Sequence, residues 1–468
     1  MTLMDPDRLF PVDPRSRDLA RSVYDTVKSL PIVSPHGHTD PRWFAEDQAF
    51  ADPAQMFVTP DHYVFRMLFT QGVPLESLGV PRVDGGVTET DGRTIWRVFA
   101  RNCHLLRGTP SSMWLQHAFE NVFGLTTRLS AATADAMYDH IADCLARPEF
   151  RPRALFDRFG IEVLATTESA LDDLHWHKMI RASGWPGRVV TAYRPDAVVD
   201  PDFAGFTANL ATLGQITGED CMSWVGYLAA HFKRRAYFIA HGATSSDHGH
   251  PSARTENLSP QEAEALFDVV KTGKATPAQA EAFRGQMLTE MARMSVEDGL
   301  VLQIHAGSWR NHSPAVMAKF GRDKGFDIPT RTDFVGNLKP LLDAFGTDPR
   351  LSVILFMLDE TTLSRELAPL AGAYPALKIG PPWWFFDSPE GMKRFRELTT
   401  ETAGFYNTVG FNDDTRAFCS IPARHDVARR VDAAFLATLV ATGRLAEDEA
   451  YEVAHDLTYR LVKQAYRL

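Results

Sequence analysis

The chain has 468 residues, of which 44% are hydrophobic and 23% are charged, as in an ordinary globular protein. Its formal net charge of −10 argues against a nucleic-acid-binding surface. No apolar run is long enough to span a bilayer, the first residues lack a signal-peptide core, and the cysteines form neither a disulfide framework nor a structural zinc motif. We therefore expect a cytoplasmic enzyme without a nucleic-acid or membrane partner.

The first predicted strand is the short apolar run 31–34, which leads directly into His36-Gly37-His38. Residues two apart on an extended strand point to the same side. The imidazoles of His36 and His38 could therefore bind one metal ion. The alternative is a pair of solvent-facing loop histidines.

The chain contains two other His-x-His pairs, and neither has the same surroundings. His175 and His177 lie in a segment of helical period, where side chains two apart diverge and cannot share a metal ion. His248 and His250 lie in a stretch rich in Ser, Asp, Gly and Pro, which is typical of a loop.

Seven further apolar runs end in polar residues and are predicted to be strands. They are 161–165, 188–193, 236–240, 300–304, 351–358, 376–380 and 405–411. Segments of helical period separate most of them, so the pattern predicts parallel βαβ units. Eight such strands, with no glycine-rich phosphate loop after the first, favour a TIM-like (β/α)8 barrel over an open sheet.

One connection is much longer than a simple βα unit. About 120 residues separate the first two strands, too many for a structureless loop, and their apolar spacing is helical. We predict an N-terminal segment with strand one (1–39), a helical insertion over the barrel mouth (40–158), and the rest of the barrel with C-terminal helices (159–468).

Two more candidate metal ligands follow later strands. His305 ends the fifth strand, and Asp414 follows the eighth, which a closed barrel would place beside His36 and His38. His305 could instead be a hydrogen-bonded core residue, and Asp414 a helix cap with Asp413 competing for its role. The fourth strand lacks a lysine and the sixth lacks a histidine, so we expect one ion. This ligand set suits Zn²⁺, with Mn²⁺ or Fe²⁺ as alternatives.

Arginines and tryptophans also follow predicted strands. Arg194, Arg310 and Arg416 follow the third, fifth and eighth strands. Each alone could be a surface salt bridge, but three at one barrel face indicate a carboxylate-bearing substrate. Trp383 and Trp384 could pack on the apolar face of a sugar, or simply fill the top of the barrel.

These motifs resemble the uronate isomerases of the amidohydrolase superfamily over nearly the whole chain. The resemblance rests on blocks that include Ser34-Pro35-His36-Gly37-His38, Asp61-His62-Tyr63, Tyr193-Arg194-Pro195-Asp196, Ser246-Asp247-His248-Gly249, Gly380-Pro381-Pro382-Trp383-Trp384-Phe385, Asp414-Thr415-Arg416-Ala417-Phe418 and Ala423-Arg424-His425-Asp426. Their order along the chain makes the resemblance specific. Composition alone would make Tyr63 a core residue.

The resemblance implies an aldose–ketose isomerase that interconverts D-glucuronate with D-fructuronate and D-galacturonate with D-tagaturonate through a cis-enediol. It implies a divalent ion on His36, His38 and Asp414, with His305 as a ligand or substrate contact. The implied catalytic groups are Asp414 as base, Tyr63 as proton shuttle, and His62 and Arg416 as charge-stabilising groups. Arg194, Arg310, Trp383 and Trp384 would bind the substrate. A homo-oligomer is expected from the same family.

Two other functions fit the same residues. A metal-dependent hydrolase or decarboxylase would use Asp414 to deprotonate a metal-activated water. A catalytically inactive sugar-acid-binding protein would keep the arginines and need no metal.

Overall fold

The computed structural model describes residues 3–468. The strands are β1 (Ile32–Ser34), β2 (Ile161–Ser169), β3 (Arg188–Arg194), β4 (Ser245–His248), β5 (Val301–His305), β6 (Ser308–Trp309), β7 (Ile328–Pro329), β8 (Val353–Phe356) and β9 (Leu377–Ile379). Seven of them form one parallel sheet in the order β1-β2-β3-β4-β5-β8-β9, while β6 and β7 form an antiparallel pair. The alternation of strands and helices is that of a TIM-like α/β barrel.

Helices surround the sheet and fill the long connection after β1. They are α1 (Pro14–Val27), α2 (Pro41–Glu46), α3 (Pro53–Phe57), α4 (His62–Phe69), α5 (Gly92–Asn102), α6 (Pro110–His117), α7 (Ala134–Leu145), α8 (Pro152–Arg158), α9 (His175–Ala182), α10 (Asp196–Val199), α11 (Phe206–Thr217), α12 (Trp224–Ala240), α13 (Pro260–Val270), α14 (Pro277–Asp298), α15 (Pro314–Phe320), α16 (Phe334–Phe345), α17 (Ala368–Ala373), α18 (Pro389–Ala403), α19 (Ile421–Ala441), α20 (Glu447–His455) and α21 (Leu461–Tyr466). Within residues 3–468, no helix has the length and apolar character needed to cross a membrane.

The predicted eighth strand is an irregular segment. It begins with a 3-10 turn at Phe405–Asn407, and Thr408 then bridges Ile379 of β9 in parallel. Further on, the carbonyl of Thr415 accepts a hydrogen bond from the His38 amide at 3.0 Å. Residues 408–415 therefore take the eighth place in the barrel, between β9 and the end of β1. Positive φ at Gly410 prevents a regular strand there.

The prediction of the fourth strand at residues 236–240 is wrong. These residues end helix α12, and the strand is β4, whose side chains are all buried. A short apolar run cannot be distinguished from buried helix by its pattern alone. The actual strand was missed because Ser245-Ser246-Asp247-His248 is entirely polar, so it shows no apolar signal.

The helices between β1 and β2 pack around their own aromatic-rich core. Trp96, Phe99 and Phe119 are buried in this core. Helix α4 begins at His62, and the carboxylate of Asp61 caps it by accepting a hydrogen bond from the Tyr63 amide at 2.9 Å. The cap fixes the first turn of α4, and so fixes the backbone that carries His62 and Tyr63.

Candidate active site

A single cavity of about 870 Å³ collects every site residue that the sequence predicted. This volume suits a small-molecule ligand. The predicted residues that line it are His36, His38, His62, Tyr63, Arg194, His305, Arg310, Trp383, Trp384, Asp414 and Arg416. Asp413 does not line it, because its buried carboxylate faces His425 at 3.0 Å.

His36, His38 and Asp414 form a compact group at the base of the cavity. Asp414 Oδ1 lies 3.5 Å from His36 Nε2 and 3.2 Å from His38 Nε2. The three ligand atoms lie within 4.8 Å of one another. Two local features hold the group: Thr167 donates a hydrogen bond to the Gly37 carbonyl at 3.0 Å, and Asp414 adopts a left-handed φ of 37°.

The donor atoms of this group suit a divalent cation. Asp414 Oδ1 is buried and accepts no hydrogen bond from residues 3–468, although two imidazole nitrogens face it. A buried carboxylate oxygen without a hydrogen bond is costly unless a cation balances it. Two imidazoles and one carboxylate are ligands that Zn²⁺ commonly takes, with positions left for substrate. The residues therefore fit a metal ion.

His305 and Asp247 form a buried pair that packs against His36. His305 Nδ1 lies 2.6 Å from Asp247 Oδ1, and the His305 ring stacks on that of His36 with centroids 4.7 Å apart. His305 Nε2 has no hydrogen-bond partner among the described residues. It belongs to a group with His36 and Asp247 rather than with His38 and Asp414.

Arg194 connects this pair to the wall of the cavity. Its Nη1 lies 3.1 Å from Asp247 Oδ2, and its Nε donates to Asp196 Oδ2 at 2.8 Å. Burial disfavours a charged Asp247, but Arg194 and His305 hold the pKa of this carboxyl well below its ordinary value. Asp247 is therefore an anion beneath the candidate metal site.

The other two arginines of the cavity, Arg310 and Arg416, differ in whether a carboxylate of the protein already forms an ion pair with them. Arg310 forms an ion pair with Asp327 at 2.9 Å and lies over the Trp383 ring. For Arg416, residues 3–468 supply no ion pair, although it lines the cavity. Burial opposes ionisation of the nearby Asp323, yet Arg416 and its neighbours lower the pKa of that carboxyl. Arg416 is thus a guanidinium with free capacity for an anionic ligand.

His62 and Tyr63 form an aromatic wall with the second tryptophan. The His62 ring lies 4.6 Å from Trp384 and 4.9 Å from Tyr63, between centroids. Burial, followed by Arg416, holds the pKa of His62 well below its ordinary value, so the ring is neutral. Burial raises the pKa of Tyr63, which keeps its hydroxyl protonated. Buried Arg424 lies over Tyr63 and pairs with Asp387.

Two residues that line this cavity were not predicted as site residues from the sequence. Asp247 belongs to the block Ser246-Asp247-His248-Gly249, but its strand was placed elsewhere, so its direction was unknown. Asp323 lies in the connection between β6 and β7 and has no motif around it. The block around Asp247 was the available signal, and nothing comparable marked Asp323.

For the other two His-x-His pairs, the structure agrees with one prediction and differs from the other. His177 lies on α9 and is buried, with Nε2 2.9 Å from the Thr166 hydroxyl, as expected for a structural helix residue. The prediction of a loop at His248 and His250 is wrong for His248, which ends β4, and both side chains are buried. The Ser, Asp and Gly content that indicated a loop instead belongs to a polar buried strand end.

Known proteins support one family for this fold and cavity. The model of the family described as glucuronate isomerase matches residues 14–466. The chain belongs to the glucuronate isomerase family. A uronate isomerase of Rhizobium meliloti strain 1021 is 67% identical over 466 residues, covering 100% of this chain and 99% of that protein. One from Mesorhizobium japonicum is 67% identical over the full length of both chains.

A solved member of the glucuronate isomerase family shares the architecture. The crystal structure of glucuronate isomerase from Caulobacter crescentus has a TM-score of 0.98 and 60% identity, covering 99% of this chain and 97% of that chain. The predictions of a TIM-like barrel and of the family are therefore confirmed. The family match spans every residue that lines the cavity.

Proposed function

We propose that this chain is an isomerase that interconverts aldose and ketose forms of hexuronates, namely D-glucuronate with D-fructuronate and D-galacturonate with D-tagaturonate. The observation that carries the proposal is the shared cavity: the group of His36, His38 and Asp414 opens into the same space as the Arg416 guanidinium, which has no ion pair within the described part of the chain. A hexuronate offers hydroxyls to the first group and, as the enediol forms, a negatively charged oxygen to the guanidinium. Membership in the glucuronate isomerase family agrees with this chemistry.

His36, His38 and Asp414 would hold one divalent ion, Zn²⁺ in the first instance and Mn²⁺ or Fe²⁺ as alternatives. Such an ion supplies Lewis acidity, which lowers the pKa of a coordinated substrate hydroxyl. His305 would act as a further ligand or as a substrate contact. Asp247, which binds the other nitrogen of His305, would fix the orientation of that ring.

Asp414 would be the general base. The reaction removes the proton from C2 of the open-chain aldose and returns a proton to C1, through a cis-enediol. The imidazoles of His36 and His38, which face the carboxylate, oppose the effect of burial and hold the pKa of Asp414 well below its ordinary value. The carboxylate is therefore ionised in the free protein, as a base must be.

Tyr63 would move the hydroxyl proton between the two substrate oxygens. As C1 is reduced and C2 oxidised, O1 gains a proton and O2 loses one, so one neutral phenol can give to the first and take from the second. His62 and Arg416 line the same wall and would stabilise the negative charge that develops on these oxygens. Arg194 and Arg310 would orient the substrate carboxylate, with Trp383 and Trp384 against the sugar.

The hydrolase or decarboxylase alternative uses the same ligands but is not favoured, because the matched family and the relatives above are isomerases.

The assembly is proposed to be a homo-oligomer, which multi-angle light scattering would test. These two points do not alter the roles proposed for the cavity residues.

The deciding experiment follows D-glucuronate by NMR in ²H₂O with the purified full-length chain, first stripped of metal and then supplied with Zn²⁺. Ketose formation that requires the ion is expected. Deuterium at C1 would show that the transferred proton exchanges with solvent, whereas hydrogen at C1 would show transfer within the closed cavity. Absence of ketose from either D-glucuronate or D-galacturonate, with the ion bound, would contradict the proposal.

A further inference from the structure

A second group of potential metal ligands lies beside the cavity, apart from His36, His38 and Asp414. It consists of Asp196, His248 and His250, whose ligand atoms lie within 4.8 Å of one another. Asp196 starts α10, and His248 ends β4. Two segments that are far apart in sequence therefore meet at one point.

The two histidines are buried without the hydrogen bonds that buried imidazoles need. His248 is 0% exposed and His250 is 3% exposed. Neither ring nitrogen of His250 has a hydrogen-bond partner among the described residues, and neither has Nδ1 of His248. Because buried polar atoms are nearly always satisfied in native proteins, these nitrogens indicate a missing partner.

A metal ion fits this position, because it accepts electron pairs from imidazole nitrogens and also binds a carboxylate. Asp196 Oδ2 accepts a hydrogen bond from Arg194 at 2.8 Å, and its Oδ1 accepts one from the Gly249 amide at 3.2 Å. Each carboxylate oxygen keeps a further lone pair after these bonds. Two imidazoles and a carboxylate with a free lone pair form the donor set of a divalent transition metal.

The surrounding charges also favour a cation. The carboxylates of the neighbourhood are Asp196, Asp200, Asp202, Asp247 and Glu281, and they contact two guanidiniums, Arg194 and Arg284. These five carboxylates outnumber the two guanidiniums that they contact, and Arg310, which also approaches Gly249, already pairs with Asp327. A divalent ion would reduce this imbalance in a buried place where it is costly.

The backbone between the histidines is shaped for this close approach. A Cβ on Gly249 would lie 2.4 Å from Arg194 Nη2 and 2.9 Å from Asp196 Oδ2. A side chain at position 249 would displace the Arg194 guanidinium or the Asp196 carboxylate from these positions. The tripeptide His248-Gly249-His250 thus repeats the His-Gly-His sequence of residues 36–38, again after a strand of the same sheet.

We propose that Asp196, His248 and His250 bind a second divalent transition-metal ion of the Zn²⁺ class, separate from the ion proposed for His36, His38 and Asp414. Asp196 and Gly249 line the cavity, whereas the two buried histidines do not, so this site borders the cavity from behind its wall. Its existence does not depend on the reaction proposed above, because none of its ligands is assigned a step in that reaction.

The test titrates the metal-free, full-length chain with Co²⁺ and measures bound ions per chain after removal of excess metal. Wild type is expected to bind one ion more than His250→Gln, and one ion more than His36→Asn. His455→Gln, which removes an exposed imidazole, is the matched control and should bind as many ions as wild type. Circular dichroism checks that each variant is folded.

A second measurement tests the site in the wild-type chain alone, without any substitution. Crystals of the wild-type chain grown with Zn²⁺ should show an anomalous diffraction peak between Asp196, His248 and His250, in addition to one at Asp414. The proposal is overturned if His250→Gln keeps the wild-type number of ions, or if the zinc-soaked wild type shows no anomalous peak between these three side chains.

Discussion

Asp247 Oδ1 and His305 Nδ1 lie 2.6 Å apart, and this contact fixes which nitrogen of His305 is turned toward the rest of the site. The His305 ring packs against the rings of Phe356 at 4.0 Å and His36 at 4.7 Å, between centroids. The carboxylate beneath the ring and the aromatic groups around it leave His305 little freedom to rotate. The position of the His36 ring therefore depends on Asp247, which does not contact Asp414.

Asp247→Asn should lower activity or metal affinity about 10- to 100-fold, the usual effect of losing a carboxylate that orients a ligand or near-ligand histidine. The amide keeps the size of the side chain but removes the charge that pairs with Arg194 and His305. Steady-state kinetics at saturating Zn²⁺, together with metal analysis, would measure the change. Unaltered kinetics and metal content would show that His305 needs no anionic partner.

Asp414→Asn should reduce kcat by about 10²- to 10⁴-fold, which is the usual contribution of a positioned general base. Asp413→Asn is the informative comparison, because the Asp413 carboxylate faces His425 instead of the cavity. It should retain kcat within about tenfold of wild type, on the same scale of general-base effects. If Asp414→Asn stays within that range while Asp413→Asn does not, the base has been assigned to the wrong residue.

Tyr63→Phe should lower kcat by at least about tenfold, since a proton-transfer group commonly contributes more than that, while KM changes little. The ring remains to pack against His62 and Trp114, so only the hydroxyl is lost. Tyr406→Phe, at an exposed tyrosine, is the control and should leave kcat and KM unchanged. A rise in KM with kcat unchanged would assign Tyr63 to substrate binding instead of proton transfer.

Arg194→Lys should raise KM about 10- to 100-fold, because hydrogen bonds to charged groups contribute about 1.5–3 kcal/mol each and lysine cannot reproduce the planar fork. Arg194 spans Asp196 and Asp247, and a single ammonium cannot satisfy both carboxylates in the same way. Initial rates over a range of D-glucuronate concentrations would separate KM from kcat. A KM equal to that of wild type would remove Arg194 from the carboxylate-binding groups.

Glu168→Gln should change how stability depends on pH. Burial raises the pKa of Glu168 to about 7, so the folded chain holds a proton that the unfolded chain releases above about 4.5. Relative to the variant, wild type should therefore lose stability as pH rises from about 5 to about 7, by up to about 3 kcal/mol, and no further above that.

The His177 ring near Glu168 titrates in both proteins, so the comparison removes its contribution to first order. Urea unfolding midpoints of wild type and Glu168→Gln at several pH values between 5 and 8 would measure the difference. Curves that stay parallel over this range would show that Glu168 is ionised in the folded chain.

The sequence alone determined the barrel class and most of the cavity wall. Apolar runs that end in polar residues revealed six of the seven sheet strands, because a strand buried on both faces is usually apolar along most of its length. His36 and His38 could be identified because they directly follow a predicted strand, and a two-residue spacing on extended backbone turns both side chains to one side. Asp414 followed from the closure of a barrel, which places the last strand position beside the first.

Tertiary structure alone decided the features that depend on contacts between distant segments. β4 is polar throughout, and its burial depends on partners from distant segments, such as Gln303, which donates a hydrogen bond to the Ser245 hydroxyl at 3.0 Å. No local pattern could place Asp247 under His305 or bring Asp196 to His248, since these pairs are joined by the packing of neighbouring strands and helices. Local periodicity encodes which face of an element is buried, whereas the partners of a buried polar group are set only when the whole chain has packed.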